Sequence, residues 1–257
     1  MNKEDQARLK ADPQNAALYR EIGLKLLEEK KTDEAVSVFS KGLIVNPFDS
    51  VMHFWRGRKY IGREDYGVSA SDLKLAAMLD PENWECWYYL GVSCYLDGMY
   101  EEAKDAHAKS RSLMLKYDRT SIPATVDWYW MICMKLGLKE EAQAVLDYVE
   151  PGMEAHDGDY LARTLLYKGY YQPEHFIEDR MAEAKFDTKE RKAIYEQMLA
   201  YGLANYLHYQ GRDEEAIPLL LPLAERPANP GLFASKQAMA DLDALGVPYT
   251  AAGTAAH

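Results

Sequence analysis

The chain carries six histidines and three cysteines, the residue types from which metal sites and nucleophilic catalysts are most often built. His53, His107, His156, His175, His208 and His257 are scattered, with no pair at the i, i+4 spacing that sets two imidazoles on one helical face. Neither an HExxH nor a CxxC motif occurs, so zinc chemistry has no support. A phosphate-cradling Gly-rich loop, a nucleophile elbow and the kinase motifs are all missing too. Cys86 and Cys94 are eight apart on one predicted helix, about 12 Å along its axis, too far to bond each other. With Cys133 they read as buried thiols in a reducing compartment. Paired carboxylates recur at Glu28-Glu29, Glu101-Glu102, Glu140-Glu141 and Glu214-Glu215, but all near predicted helix ends, where solvation and the helix dipole account for them. His107 sits at a place held by Phe39 in an earlier copy of a repeated pattern and reads as a packed histidine. These residues predict no catalytic group, cofactor or metal, which leaves binding as the chemistry on offer.

The pattern recurs every 34 residues between Ala16 and about Leu115. Gly23, Gly57 and Gly91 are 34 apart, as are Ala35, Ser69 and Ala103, and Pro47 stands 34 before Pro81. Tyr19-x-x-Ile22-Gly23-x-x-Leu26 and Trp87-x-x-Leu90-Gly91-x-x-Cys94 share one spacing. His53-x-x-Arg56-Gly57-x-x-Tyr60 keeps the glycine and tyrosine and departs at two places. Minimal side chains at the glycine and at the small residue of the second helix predict a close helix crossing. One such pair cannot bury its own apolar face, so neighbours must stack.

Period and motif resemble the tetratricopeptide repeat. The resemblance implies an all-α fold: a right-handed α-solenoid of antiparallel helix pairs, a TPR superhelix, ending in a C-terminal capping helix. It implies one solenoid over 1–257, with regular repeats at about 16–115 and divergent pairs at about 122–186. A restored repeat follows at about 188–226, then a capping helix at about 231–246 and a flexible tail at 248–257. The order of units is also similar to the NlpI-type bacterial TPR adaptor lipoproteins.

The expected helices run 15–30 with 32–45, 49–62 with 65–79, and 82–97 with 99–116. The register then slips by about five residues, because Ala142 follows Ala103 by 39. Pairs at 124–136 with 139–149 and 157–170 with 173–185 follow. A long helix from Asp187 to about Gln210 comes next, and Gly211-Arg212-Asp213-Glu214-Glu215-Ala216 resumes the repeat. Residues 1–11 are charged and expected to fray.

In arrays of this family the first helix of each pair lines the concave side. Carried over place by place, the resemblance implies a partner-binding surface of Arg20 in the first repeat, Phe54, Trp55 and Arg58 in the second, and Tyr88, Tyr89 and Tyr95 in the third. Trp128, with Lys135, comes from the fourth unit, and Tyr201, Asn205 and His208 come from the last. Tyr and Trp offer large contact area at low entropic cost, and Arg20 and Arg58 suit a carboxylate. The competing use of these aromatics is to pack neighbouring first helices; Phe54 and Trp55 cannot both face fully inward. The family's carboxylate clamp for chaperone C-termini needs basic and amide residues where this chain has Leu24, Trp55, Glu85 and Tyr89, so that specialisation is not expected.

Lysine plus arginine number 30 and aspartate plus glutamate 41, for a net charge of −11. This balance argues against nucleic acid, which needs a concentrated basic surface, and against an anionic membrane. The start, MNKEDQARLKADPQ, has no apolar h-region or lipobox cysteine, and no apolar run could span a bilayer, so a cytoplasmic protein is expected. Three readings stay open: a non-catalytic scaffold or adaptor for a protein or peptide, a self-associating subunit of a homo-oligomer, and an accessory protein holding a small apolar ligand.

Overall fold

In the computed structural model, which describes residues 1–229 and 232–251, three helix pairs follow one another in the 34-residue register. They are α2 (Ala16–Glu28) with α3 (Thr32–Val45), α4 (Ser50–Gly62) with α5 (Tyr66–Leu79), and α6 (Trp84–Leu96) with α7 (Tyr100–Tyr117). Asn15, Asp49 and Asn83 cap the first helix of each pair through the side chain. At the turn within each pair Lys30, Glu64 and Gly98 take left-handed backbone, φ 58°, 62° and 77°. The following amide then reaches back to a carbonyl of the last helical turn, as Lys31 N–H does to Leu26 O at 2.8 Å.

The crossing glycines behave as their spacing demands. A Cβ on Gly23 would lie 2.2 Å from the Phe39 ring, and one on Gly91 2.4 Å from the His107 ring. His107 is fully buried and packs edge-on to Tyr88, 5.5 Å between ring centres. Burial drops its pKa to about 3, so the ring is neutral. Cys86, Cys94 and Cys133 are buried thiols, not joined in disulfides.

The charged N-terminus is not frayed. Lys3–Ala11 forms α1, capped by Asn2 and tied to α2 by Lys25 to Asp5 at 2.9 Å and Arg8 to Glu21 at 2.8 Å. Composition alone could not show this, because the contacts depend on where α2 lies.

The two departures in the middle repeat answer each other. Arg56 donates from Nε and Nη2 to Asp72 on α5 at 2.7 Å each, and from Nη1 to Ser40 on α3 at 3.2 Å. His53 lies with Nδ1 2.9 Å from Asp72 Oδ1 and Nε2 2.9 Å from the Pro47 carbonyl oxygen. Burial works against the Asp72 charge, but the Arg56 and His53 hydrogen bonds outweigh it and hold the carboxyl below the usual range. The equivalent places in the third repeat are Trp87, Leu90 and Ala106. Asp72→Ala alone is expected to cost about 2 kcal/mol, less than for a fully buried pair because Arg56 is only half-buried. The triple change His53→Trp, Arg56→Leu, Asp72→Ala should recover most of that in urea unfolding. A triple variant no better than the single one would contradict this.

The chain divides into two compact units, Met1–Tyr117 and Asp118–His257. In the second, α8 (Ile122–Lys135) pairs with α9 (Lys139–Val145), and α10 (Gly158–Tyr167) precedes the short α11 (Phe176–Glu183). The long α12 (Lys189–Tyr209) then pairs with α13 (Asp213–Glu225), and α14 (Phe233–Ala244) packs on both, as a capping helix should. No strand occurs among the described residues. Residues 230, 231 and 252–257, which include the start of the expected capping helix and most of the expected tail, lie outside them.

Arg163 on α10 is the centre of the second unit's core. It is fully buried, ion-paired to Asp127 on α8, 3.9 Å from Asp159, and laid against Gly202 of α12, where a Cβ would lie 2.2 Å from its Cγ. One guanidinium cannot neutralise two acids at that depth. Burial pushes both carboxyls up, Asp127 to about 7 and Asp159 to about 6.

Candidate functional site

The first helices of the amino-terminal unit carry a continuous group of aromatic rings. Adjacent helical residues point about 100° apart, and the fold divides the Phe54-Trp55 and Tyr88-Tyr89 pairs accordingly. Phe54 and Tyr88 turn in and are buried, while Trp55 and Tyr89 remain half-exposed. All contacts are edge-to-face: Phe54 to Trp55 at 5.3 Å, Phe54 to Tyr89 at 6.0 Å, Tyr88 to Tyr89 at 5.1 Å. The buried ring of each pair holds its exposed neighbour in place.

Arg58, one turn beyond Trp55 on α4, crosses to α6. Its guanidinium carbon stands 4.0 Å from the Tyr89 ring centre, 4.9 Å from Trp55 and 5.4 Å from Phe54. Nη2 donates to the Tyr89 hydroxyl at 2.7 Å. Lys59, which place-by-place reasoning passed over, sits 5.6 Å from the Trp55 ring centre. Its pKa is lowered by burial and by Arg58 beside it. Only spatial proximity identifies Lys59, because its place in the repeat is not one that faces the groove in the family.

Arg20 is placed differently. It bonds Asp49 at 3.1 Å, the same aspartate that caps α4 through Met52 N–H, so its charge is already matched. Tyr95 is buried with its ring 5.4 Å from Tyr100.

In the second unit Trp128 is buried edge-on to Phe233, and Tyr201 is buried with its hydroxyl donating to Asp241 Oδ2 at 2.9 Å. Asn205, also buried, donates to the Tyr201 carbonyl at 3.2 Å. His208 remains half-exposed, Nδ1 2.6 Å from Asp213. Asn205 and His208 open with Lys135 onto a pocket of about 270 Å³, whose apolar side is formed by Ala204, Leu220, Ala244 and Leu245. Lys135 donates to Asp241 Oδ1 at 2.7 Å. Asp241 thus joins Lys135 to Tyr201; nothing in the sequence linked it to residues so far away along the chain.

Of the residues singled out in the sequence, Trp55, Arg58 and Tyr89 converge at one accessible point, with Phe54 and Tyr88 beneath them. Asn205 and His208 share the second unit's pocket. Trp128 and Tyr201 lie in that unit's core. Among the described residues, no group of three or more His, Cys, Asp or Glu side chains could hold a metal, and no helix is long and apolar enough to cross a membrane.

No protein-family model matches the chain. RNA polymerase II-associated protein 3 of Rattus norvegicus is 25% identical over 108 residues, 42% of this chain and 16% of the relative. The Homo sapiens protein is 29% identical over 93 residues, 36% of this chain and 14% of the relative. The chain thus spans less than a fifth of the length of the curated relatives it matches. Among solved structures, MamA superposes with a TM-score of 0.50 at 17% identity, covering 65% of this chain and 88% of that one. YrrB, described as a TPR protein with an unusual peptide-binding site, gives 0.52 at 12% identity over 93% of this chain and 97% of its own. At such identities these likenesses speak to fold alone. Three copies in a 34-residue register, glycines at the helix crossings, and these superpositions give the chain the helical-repeat fold seen in tetratricopeptide-repeat proteins.

Proposed function

We propose that the chain is a non-catalytic scaffold that captures a protein segment on the face formed by α2, α4 and α6, with Arg58 as anchor between Trp55 and Tyr89. One observation carries the reading. In a chain of net charge −11, Arg58 forms no ion pair among the described residues and is held instead by rings and a phenol. A guanidinium kept in place by aromatic faces retains donors for a carboxylate, and pre-organisation lowers the entropy lost on binding. The segment it fits carries a carboxylate flanked by apolar side chains that lie on Trp55 and Tyr89. Arg20, neutralised by Asp49, has a lesser part.

The test is selection of displayed peptides on the purified protein, followed by titration of the selected peptides. Arg58→Ala and Trp55→Ala are each expected to weaken binding at least tenfold, about 1.4 kcal/mol or more, with the helical circular dichroism unchanged. Arg58→Lys should restore little, because an ammonium neither stacks nor forks. Peptides that bind these variants as well as the parent, or variants that lose helicity together with binding, would refute the assignment.

A further inference from the structure

A second groove lies on the other side of the amino-terminal unit's third repeat, where α5 and α7 flank α6. Its origin is a departure from the preceding repeat. Between α3 and α5, the Arg56 side chain reaches Ser40 on one wall and Asp72 on the other and closes the gap. One period later the equivalent residues are Leu90 and Ala106, apolar and too short to bridge. An open groove of about 450 Å³ results, floored by Trp87, Leu90, Cys94 and Ala106.

Gly67, Ala70 and Ser71 keep the α5 wall low, and Met78 stands at the mouth, 66% exposed. Trp87 is fixed by its Nε1–H to the Pro81 carbonyl at 3.0 Å, so its ring is held rather than loose. Burial, reinforced by Glu102 and Asp97, raises the Cys94 thiol to about 11, and the floor carries no charge. The rim is different: Asp97, Glu102 and Asp105 face a single Lys74.

An apolar floor bordered by acids is complementary to a segment with the opposite pattern. We propose that this outer groove seats an amphipathic segment of a second protein, its apolar side chains on Trp87 and Leu90 and its lysines or arginines against Asp97, Glu102 and Asp105. This interaction is separate from the one at Arg58, and the array would then hold two partners on opposite sides of α6.

The probe is a labelled fourteen-residue amphipathic peptide of leucine and lysine, read by fluorescence anisotropy, with a leucine–glutamate counterpart as control. The lysine peptide should bind the full chain and the glutamate peptide should not. Ser71→Phe plugs the groove from an exposed wall without changing charge, and should weaken binding at least tenfold. Glu102→Lys with Asp105→Lys should do the same. Trp55→Ala with Arg58→Ala should leave it within twofold, which separates this proposal from the preceding one. Equal binding of both peptides, or indifference to Ser71→Phe, would overturn it. So would a concentration-dependent dimer in light scattering that Ser71→Phe dissolves, since the groove would then belong to a second copy of the chain.

Discussion

Arg163→Met is expected to lower the stability of the carboxy-terminal unit by about 3–5 kcal/mol, the range for removing one partner of a buried ion pair. Asp127, fully buried, loses its ion-pair partner, and the partly buried Asp159 loses the guanidinium 3.9 Å away. The stem of Arg163 also fills the space over Gly202, and methionine keeps that stem, so the substitution removes the guanidinium alone. Calorimetry should show the transition of this unit falling by roughly 10 °C. Hydrogen exchange should lose protection in α8, α10 and α12 and keep it in α2 to α7. A variant that melts like the parent would refute the central role given to Arg163.

The pH dependence follows from the same cluster. Asp127 and Asp159 titrate at about 7 and about 6 in the folded protein, above the value of about 3.9 expected for an unfolded aspartate. Between about pH 4 and pH 7 the folded state therefore binds more protons than the unfolded one. These groups contribute stability that is complete below about pH 4 and is lost as pH rises through 6 and 7. Asp159→Asn should flatten the part of that slope below about pH 6 in melts taken from pH 5 to pH 8. A slope of opposite sign in this window would count against the buried cluster.

Gly57→Leu is the second large effect, and it belongs to the other unit. A Cβ at Gly57 would stand 2.8 Å from Leu73 Cγ, 3.1 Å from Asp72 Cβ and 3.2 Å from the Ser69 backbone oxygen. The first can yield by rotation, but the backbone oxygen cannot. Ser69 also donates to the Gly57 carbonyl at 2.8 Å, a contact that fails once the helices part. Overpacking costs about 1–3 kcal/mol where side chains can move; here α4 must leave α5, so about 3 kcal/mol or more is expected. The amides of α4 to α7 should exchange first. Gly62→Ala on the same helix is the control, because nothing lies within 4 Å of its added Cβ. Equal melting of the two variants would remove Gly57 from the helix crossing.

Period and residue size sufficed for the repeat itself. Gly23, Gly57 and Gly91 had to lie at crossings because no other residue is small enough, and His107, at the place of Phe39, had to be a packed ring. Cys86 and Cys94, eight residues apart on one helix, could not bond each other. These are local properties that a single helix pair already imposes. What the sequence left open was which side chains meet across pairs: whether Phe54 or Trp55 turns inward, whether Arg20 or Arg58 is the unmatched cation, and where Asp72, Asp241 and Arg163 find partners. Those choices depend on the angle between helices that are far apart in sequence, since a buried charge takes whichever opposite charge the packing brings near. Repetition therefore determined the fold, and the tertiary structure decided which of the aromatic and charged side chains are buried or paired and which stay exposed.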